Sequence, residues 1–160
     1  MPKQDQKSTI GSINCVWGLV CSLSSLDQQR NNLSLFNVID QINLPSEVYE
    51  QAKKGQPVGV QIPIEVVMLW RRAIDTKIDD RALAFDTQVE LIDPNGKSLI
   101  KILTKVQFSS FNRINRIRLQ GNGIFVTIPG DYVFEVSYKT LEETGFHDIF
   151  KIPILLTEKN

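Results

Sequence analysis

Apolar and polar residues alternate with period two along most of this chain, and glycine, proline, asparagine and aspartate break the alternation at short intervals. That is the pattern of an all-β protein. In the clearest stretch, Leu83, Phe85, Thr87, Val89 and Leu91 alternate with Asp86, Gln88 and Glu90. The pattern resumes after Asp93-Pro94-Asn95-Gly96-Lys97 with Ile100, Ile102, Thr104, Val106 and Phe108. Asn95-Gly96 predicts a tight hairpin turn, because these residues supply positive φ. Tyr132, Phe134, Val136 and Tyr138 alternate with Glu135, Ser137 and Lys139, Val133 being the one exception. Between the turns Gly121-Asn122-Gly123 and Pro129-Gly130 lie Ile124, Val126 and Ile128. Phe150, Ile152, Ile154 and Leu156 form a closing strand, in which Pro153 marks an edge or a bulge.

The first half reads less simply. Cys15, Trp17, Leu19, Cys21 and Leu23 predict the buried side of one strand, followed by a turn over 27–32. From Leu33 to Leu44 both parities are apolar, as in a strand with a bulge or one covered on both faces. From Val58 to Trp70 the even positions line one face, Pro63 marks a break or an edge, and Val67 and Leu69 predict cover on the other side. One short connecting helix is expected near 46–54, with Ser46 as its cap, Glu47 in the first turn, Lys53 and Lys54 in the last and Gly55 at the exit. The expectation is an antiparallel β-sandwich of about eight or nine strands, immunoglobulin-like or jelly-roll. Residues 10–160 form its single domain, after a flexible tail at 1–9. Periodicity leaves the two topologies open.

At 160 residues the chain is long enough to bury a core without a metal or a disulfide. Its 42% hydrophobic and 22% charged residues fit a soluble globular protein, and no apolar run approaches the length that crosses a bilayer. No apolar signal core follows the N-terminal lysines, so a cytoplasmic protein is expected. Lysine plus arginine and aspartate plus glutamate number 18 each, so any attraction to anions must come from a local patch. Six residues of extended chain hold Cys15 and Cys21 about 20 Å apart, too far for a disulfide.

Candidate chemistry is sparse. His147 is the single histidine and lies in a polar loop, with no Gly-x-Ser-x-Gly elbow anywhere in the chain. One histidine and two separated cysteines do not make a zinc site, and the turn Asp75–Asp80 lacks the spacing of a calcium loop. Gly121-Asn122-Gly123 has Val126 where a phosphate-binding loop needs glycine. No cofactor or metal is therefore expected. Trp17 and Trp70 fall on apolar parities and read as core rather than as a sugar platform. The most conspicuous patch is Arg113-Ile114-Asn115-Arg116-Ile117-Arg118. There Arg116 and Arg118 project from one outer face, and Arg71 or Arg72 can join them from another strand. With Phe111 and Trp70 nearby, this is the make-up of an RNA or single-strand binder, of an anionic protein contact, or of an ordinary soluble face.

Three segments carry a resemblance: Val20-Cys21 through Asn32-Leu33-Ser34-Leu35-Phe36-Asn37-Val38-Ile39, then Val89 through Lys97, and Gly130-Asp131-Tyr132-Val133-Phe134-Glu135-Val136. Together they resemble a bacterial family of small uncharacterised β-sandwich proteins. The resemblance implies the fold and a bacterial cytoplasmic setting, and it brings no site residues. The functional expectation is a non-catalytic protein-interaction or structural module that meets a protein partner or its own copy. The alternatives are a ligand-binding or hydrolytic sandwich, in which His147 would join a loop carboxylate and a hydroxyl in a pocket, and a nucleic-acid binder acting through the arginines.

Overall fold

A computed structural model describes residues 13–72, 82–109 and 112–159. The expected tail at 1–9, the turn Asp75–Asp80 and Phe111 lie outside the described residues. The strands are β1 (Ile13–Asp27), β2 (Asn32–Val38), β3 (Gln41–Leu44), β4 (Val58–Val60), β5 (Ile64–Arg72), β6 (Leu83–Ile92), β7 (Ser98–Phe108), β8 (Ile114–Gly121), β9 (Ile124–Val126), β10 (Gly130–Thr140) and β11 (His147–Glu158), with one helix, α1 (Ser46–Lys53). One sheet has the order β2-β1-β5-β8, the other β3-β11-β10-β6-β7, and β4 pairs with β9 separately. The neighbours are antiparallel except β3 beside β11.

The described strands number eleven, more than the expected eight or nine, because two apparent strands each divide. Residues 33–44 are apolar on both parities because β2 belongs to one sheet and β3 to the other. The chain leaves the first sheet after Ile39, whose amide still donates to the Val20 carbonyl, and joins the second at Gln41. Likewise the chain before Pro63 pairs with β9, and only the chain after it, β5, enters a main sheet. Pro153 lies in β11 where the β3 side is open, since β3 pairs only with Leu155–Glu158.

Facing strands β1-β5-β8 and β7-β6-β10-β11 follow the Greek-key order of an immunoglobulin-like sandwich, with the strand after β6 kept in the sheet of β6. The expected parities of β5, β6, β7, β10 and β11 hold, and their inward residues make the core. At one end Trp70 meets Phe85 edge-on, ring centres 5.0 Å apart, with Tyr138 and Phe108 around Phe85. Burial of each such ring contributes roughly 2 kcal/mol. Gly18 of β1 faces β11 across the core, with no room for a side chain. A methyl group there would lie 3.1 Å from Ile152 and 3.2 Å from Phe150.

β1 departs from its expected parity. The β1–β5 register slips between Cys15 and Trp17, one residue bulging out of the ladder. Cys15 therefore faces the core beside Trp70, whereas Trp17, Leu19 and Cys21 pair with Leu69, Val67 and Glu65 on the outer face. A one-residue slip moves every later side chain to the other side. Both cysteines are free, as expected.

Helix α1 begins one residue earlier than expected. Pro45 is its N-cap and no side chain caps it, so Ser46 is the first helical residue. Its exit is a Schellman motif, in which the Gly55 and Gln56 amides donate to Ala52 and Gln51 carbonyls with Gly55 at φ 73°. The β6–β7 turn also differs in detail. Gly96 alone takes positive φ, the Gly96 amide donates to the Asp93 carbonyl, and Asp93 Oδ1 accepts from the Asn95 and Lys97 amides.

That turn is tied to the start of β10. The Thr127 hydroxyl donates to Asp93 Oδ2 at 2.6 Å, while the buried Tyr132 hydroxyl donates to the Ile128 carbonyl at 2.7 Å and accepts from the Thr127 amide at 2.9 Å. A tyrosine bonding back to the backbone just upstream is the corner typical of immunoglobulin-like folds. Burial pushes the Asp93 carboxyl up, but the Thr127 hydroxyl and the Lys97 and Asn95 amides outweigh it and hold it below its ordinary 3.8. Tyr132→Phe strands these backbone groups, and the expected loss is about 2 kcal/mol in urea unfolding. Because the folded-state pKa of Asp93 is depressed, its stabilisation is present above the unfolded value and lost as pH falls through the folded one. Between about pH 5 and pH 3 the stability of the parent therefore falls more steeply than that of Asp93→Asn, as unfolding midpoints at stepped pH will show.

Candidate functional site

The arginines divide by parity. Arg71, Arg116 and Arg118 lie on the outer face of the β2-β1-β5-β8 sheet, as the alternation predicts for Arg116 and Arg118. Arg72 falls on the core side and is buried, and Arg113 is exposed just before β8, its carbonyl accepting from the Arg72 amide. The Arg116 and Arg118 guanidiniums are committed to the β1–β2 hairpin. Arg116 donates to Asn31 Oδ1 at 2.7 Å and to the Asn31 carbonyl at 3.2 Å. Arg118 donates to the Ser24 carbonyl at 3.2 Å and lies 3.7 Å from Glu65 Oε1.

These contacts fix the path of the β1–β2 hairpin. Cys21 pairs with Glu65, so continued pairing would set Ser24 beside position 62, whereas Arg118 pairs with Val67. The five-residue offset along β5 is about 17 Å, beyond the reach of an arginine. The distal hairpin therefore bends back over the outer face, bringing Ser24 to Arg118 and the tip at Asn31 to Arg116. Beneath it Cys21, Glu65 and Val67 are fully buried although they lie on the outer side of the sheet. Glu65 Oε1 accepts from Gln120 at 3.4 Å, and its Oε2 has no partner among the described residues.

Within the hairpin, Ser24–Leu35 and Leu26–Leu33 share one face and Leu23–Phe36 the other. The buried Ser24 identifies the first as the inward face. The outward face presents Leu23, Phe36 and, at its base, Val38, with 53%, 48% and 59% of their surfaces exposed. β2 is also the end strand of its sheet and, among the described residues, pairs only with β1. Asp27 Oδ1 caps the turn by accepting from the Gln29 and Arg30 amides. Parity alone does not reveal this surface, because Leu23, Phe36 and Val38 read as ordinary strand interior.

The other candidates are simpler. His147 opens β11 against Tyr138, and its Nε2 lies 3.0 Å from Glu143 Oε1. The Thr140 amide and hydroxyl, then His147, hold the Glu143 carboxyl below its ordinary range. Both side chains stand in solvent. Burial pushes the Cys15 thiol up to about 11, and burial and then Glu65 push Cys21 up, so neither is a thiolate at neutral pH. On the outer face of the second sheet, Lys139, Asp86 and Lys105 stand in one rung across β10, β6 and β7. With Leu103 and Phe146 they line an open cleft of about 270 Å³. Among the described residues no group of three or more metal-ligating side chains occurs, and no helix is long and apolar enough to cross a membrane.

Strand order and corner tyrosine together place the protein in the class of immunoglobulin-like β-sandwiches. No protein-family model matches the chain, and no curated protein matches it. Among solved structures, a family 123 glycoside hydrolase from Clostridium perfringens, described for glycolipid glycan hydrolysis, is 10% identical with a TM-score of 0.37. The alignment covers 92% of this chain and 28% of that one, so this chain spans little more than a quarter of the hydrolase's length. A likeness of that size carries no argument.

Arg118→Ala leaves Glu65 buried without its cation and removes one of the two hairpin clasps. Arg118 is itself partly solvated, so the expected loss is about 1–2 kcal/mol. The specific readout is Cys21. A maleimide probe labels it slowly in the parent and faster in Arg118→Ala, whereas labelling at an unchanged rate means that the hairpin does not depend on this clasp.

Proposed function

We propose that this chain is a non-catalytic interaction module whose contact element is the folded-back β1–β2 hairpin. The observation that carries the reading is the state of the edge strand. β2 reads Asn-Leu-Ser-Leu-Phe-Asn-Val, seven residues with neither charge nor proline. Open edges are normally blunted by charge, proline or shortness. The other edges here follow that rule: β7 carries Lys101 and Lys105, β8 carries Arg116 and Arg118, and β3 is four residues long. An extended segment of a protein can add to β2 through main-chain hydrogen bonds, with its apolar side chains against Leu23 and Phe36. The bacterial, cytoplasmic setting implied by the sequence resemblance belongs to the same reading.

A nucleic-acid role for the arginines is less well supported, because Arg116 and Arg118 already serve the hairpin and Arg72 is buried. The second reading is ligand binding in the Lys139–Asp86–Lys105 cleft, where two cations beside Phe146 suit a small anion with an apolar body.

Capture from nuclease-treated lysate of the source organism at near-physiological salt tests the module. The tagged parent, a Leu35→Pro form and an Arg71→Glu/Arg113→Glu form are compared. A stoichiometric protein, either another protein or the untagged native chain, is expected with the parent and the arginine variant and lost with Leu35→Pro. Loss with the arginine variant instead, or retention by all three, overturns the hairpin as the contact.

A further inference from the structure

We infer that the occupant of the β2 edge is a second copy of this chain, paired antiparallel about Ser34. This rests on the proposed role of the hairpin and names its partner. The regular part of β2 is bounded by two asparagines in left-handed conformation, Asn31 at φ 54° and Asn37 at φ 50°. Only the stretch from Asn32 to Phe36 between them offers an uninterrupted ladder. The Phe36 carbonyl faces β1, where Ser22 Oγ donates to it at 3.1 Å. By alternation the main-chain groups of Ser34 and Asn32 face β1 as well, and those of Leu33 and Leu35 point away from the sheet.

A two-fold axis through Ser34 matches this pattern. It sets Leu33 opposite Leu35 of the other copy and Leu35 opposite Leu33, each pair exchanging both main-chain hydrogen bonds. Ser34 meets Ser34 between them as a non-hydrogen-bonded pair. An isologous contact puts each residue type against its symmetry mate or a near neighbour, so any charge on the axis would face its like. β2 has none. Its small central serine, flanked by leucines at equal distance, is self-complementary in shape and polarity. Asn32 meets Phe36, and the outward apolar face of Leu23 and Phe36 becomes continuous across the axis. Two four-stranded sheets then join edge to edge, with no open β2 remaining.

Sedimentation of the purified full chain tests this. The parent is expected at the mass of two chains, and Leu35→Pro at the mass of one. Leu35→Pro removes an amide that points outward and leaves the β1–β2 main-chain ladder intact, and Leu35→Ala, which loses the same inward side chain but keeps the amide, is expected to remain a dimer. Ser34→Lys and Ser34→Asp, which leave the core untouched, are each expected to sediment as single chains and to form a mixed dimer when combined. Ser34→Cys is expected to form an intermolecular disulfide on mild oxidation, since facing residues of a non-hydrogen-bonded pair have the required spacing, and Asn32→Cys is not.

A parent that sediments as one chain overturns the second copy. So does a dimer that survives both Leu35→Pro and the Ser34 charges. If a monomeric parent nonetheless captures a different protein that Leu35→Pro loses, the module stands and only its partner is wrong. If nothing is captured either, both readings fall.

Discussion

The bent-back hairpin is the constraint around which the rest of the molecule is arranged. A sandwich sheet normally keeps its outer face wet and polar, yet here Cys21, Val67 and Glu65 on that face are as buried as the core. This face is dry because β1, fifteen residues long, outruns β5 and turns back across it. The inward residues Leu33 and Leu35 are half-buried, and the arginines of β8 fix where the hairpin comes to rest. Arginine suits this task because its planar fork reaches several oxygens at once, and Arg118 spans the Ser24 carbonyl and the Glu65 carboxylate. The arrangement carries an internal cost in Glu65 Oε2, buried without a partner among the described residues. A carboxylate so placed is tolerable only while the guanidinium stays beside it. Hairpin position and buried charge thus hold each other in place.

A second polar device works on the other sheet. Asp93, Thr127 and Tyr132 join the β6–β7 turn to the corner from which β10 starts, and β10 lies between β6 and β11 in the five-stranded sheet. Buried polar clusters of this kind add little net energy when complete and cost much when broken, so they select one arrangement among several that hydrophobic burial alone would permit. At one end of the sandwich the aromatic cluster of Trp70, Phe85, Phe108 and Tyr138 packs the two sheets against each other.

Much of this frame was legible in the sequence, for a physical reason. Where a strand has one face on the core and one in water, alternation reports the fold directly, and the inward residues of β6, β7, β10 and β11 follow it, while the apolar outer residues of β5 report its cover on both faces. Alternation misleads where a strand changes register or the chain changes sheet. One bulged residue in β1 reverses the meaning of Trp17, Leu19 and Cys21, and the sheet change between Ile39 and Gln41 makes two strands look like one. Helix α1 is legible to within a residue because its exit glycine and terminal charges act locally. Of the candidate site, the shared outer face of Arg116 and Arg118 was readable from parity. What their guanidiniums do was not, because Asn31 and Ser24 are distant in sequence and meet them only through the fold-back. The exposed Leu23, Phe36 and Val38 were hidden for the same reason.

An uncharged edge strand is a hazard for a protein alone in water, since any extended chain can add to it. Destabilising the hairpin would blunt that hazard, but this structure does the opposite and clamps it at Ser24 and Asn31. For the proposed contact at β2 the effect is thermodynamic. A mobile strand must lose its conformational freedom when a partner arrives, whereas β2 has already lost it during folding, and the arginine contacts and the inward leucines offset that loss. Association at β2 then needs only the main-chain hydrogen bonds and the apolar contacts at Leu23 and Phe36. The same clamps keep the unprotected segment short, because Asn31 and Asn37 end the regular ladder on either side. Five regular residues suffice for a specific pair of strands and offer little to an indefinite sheet.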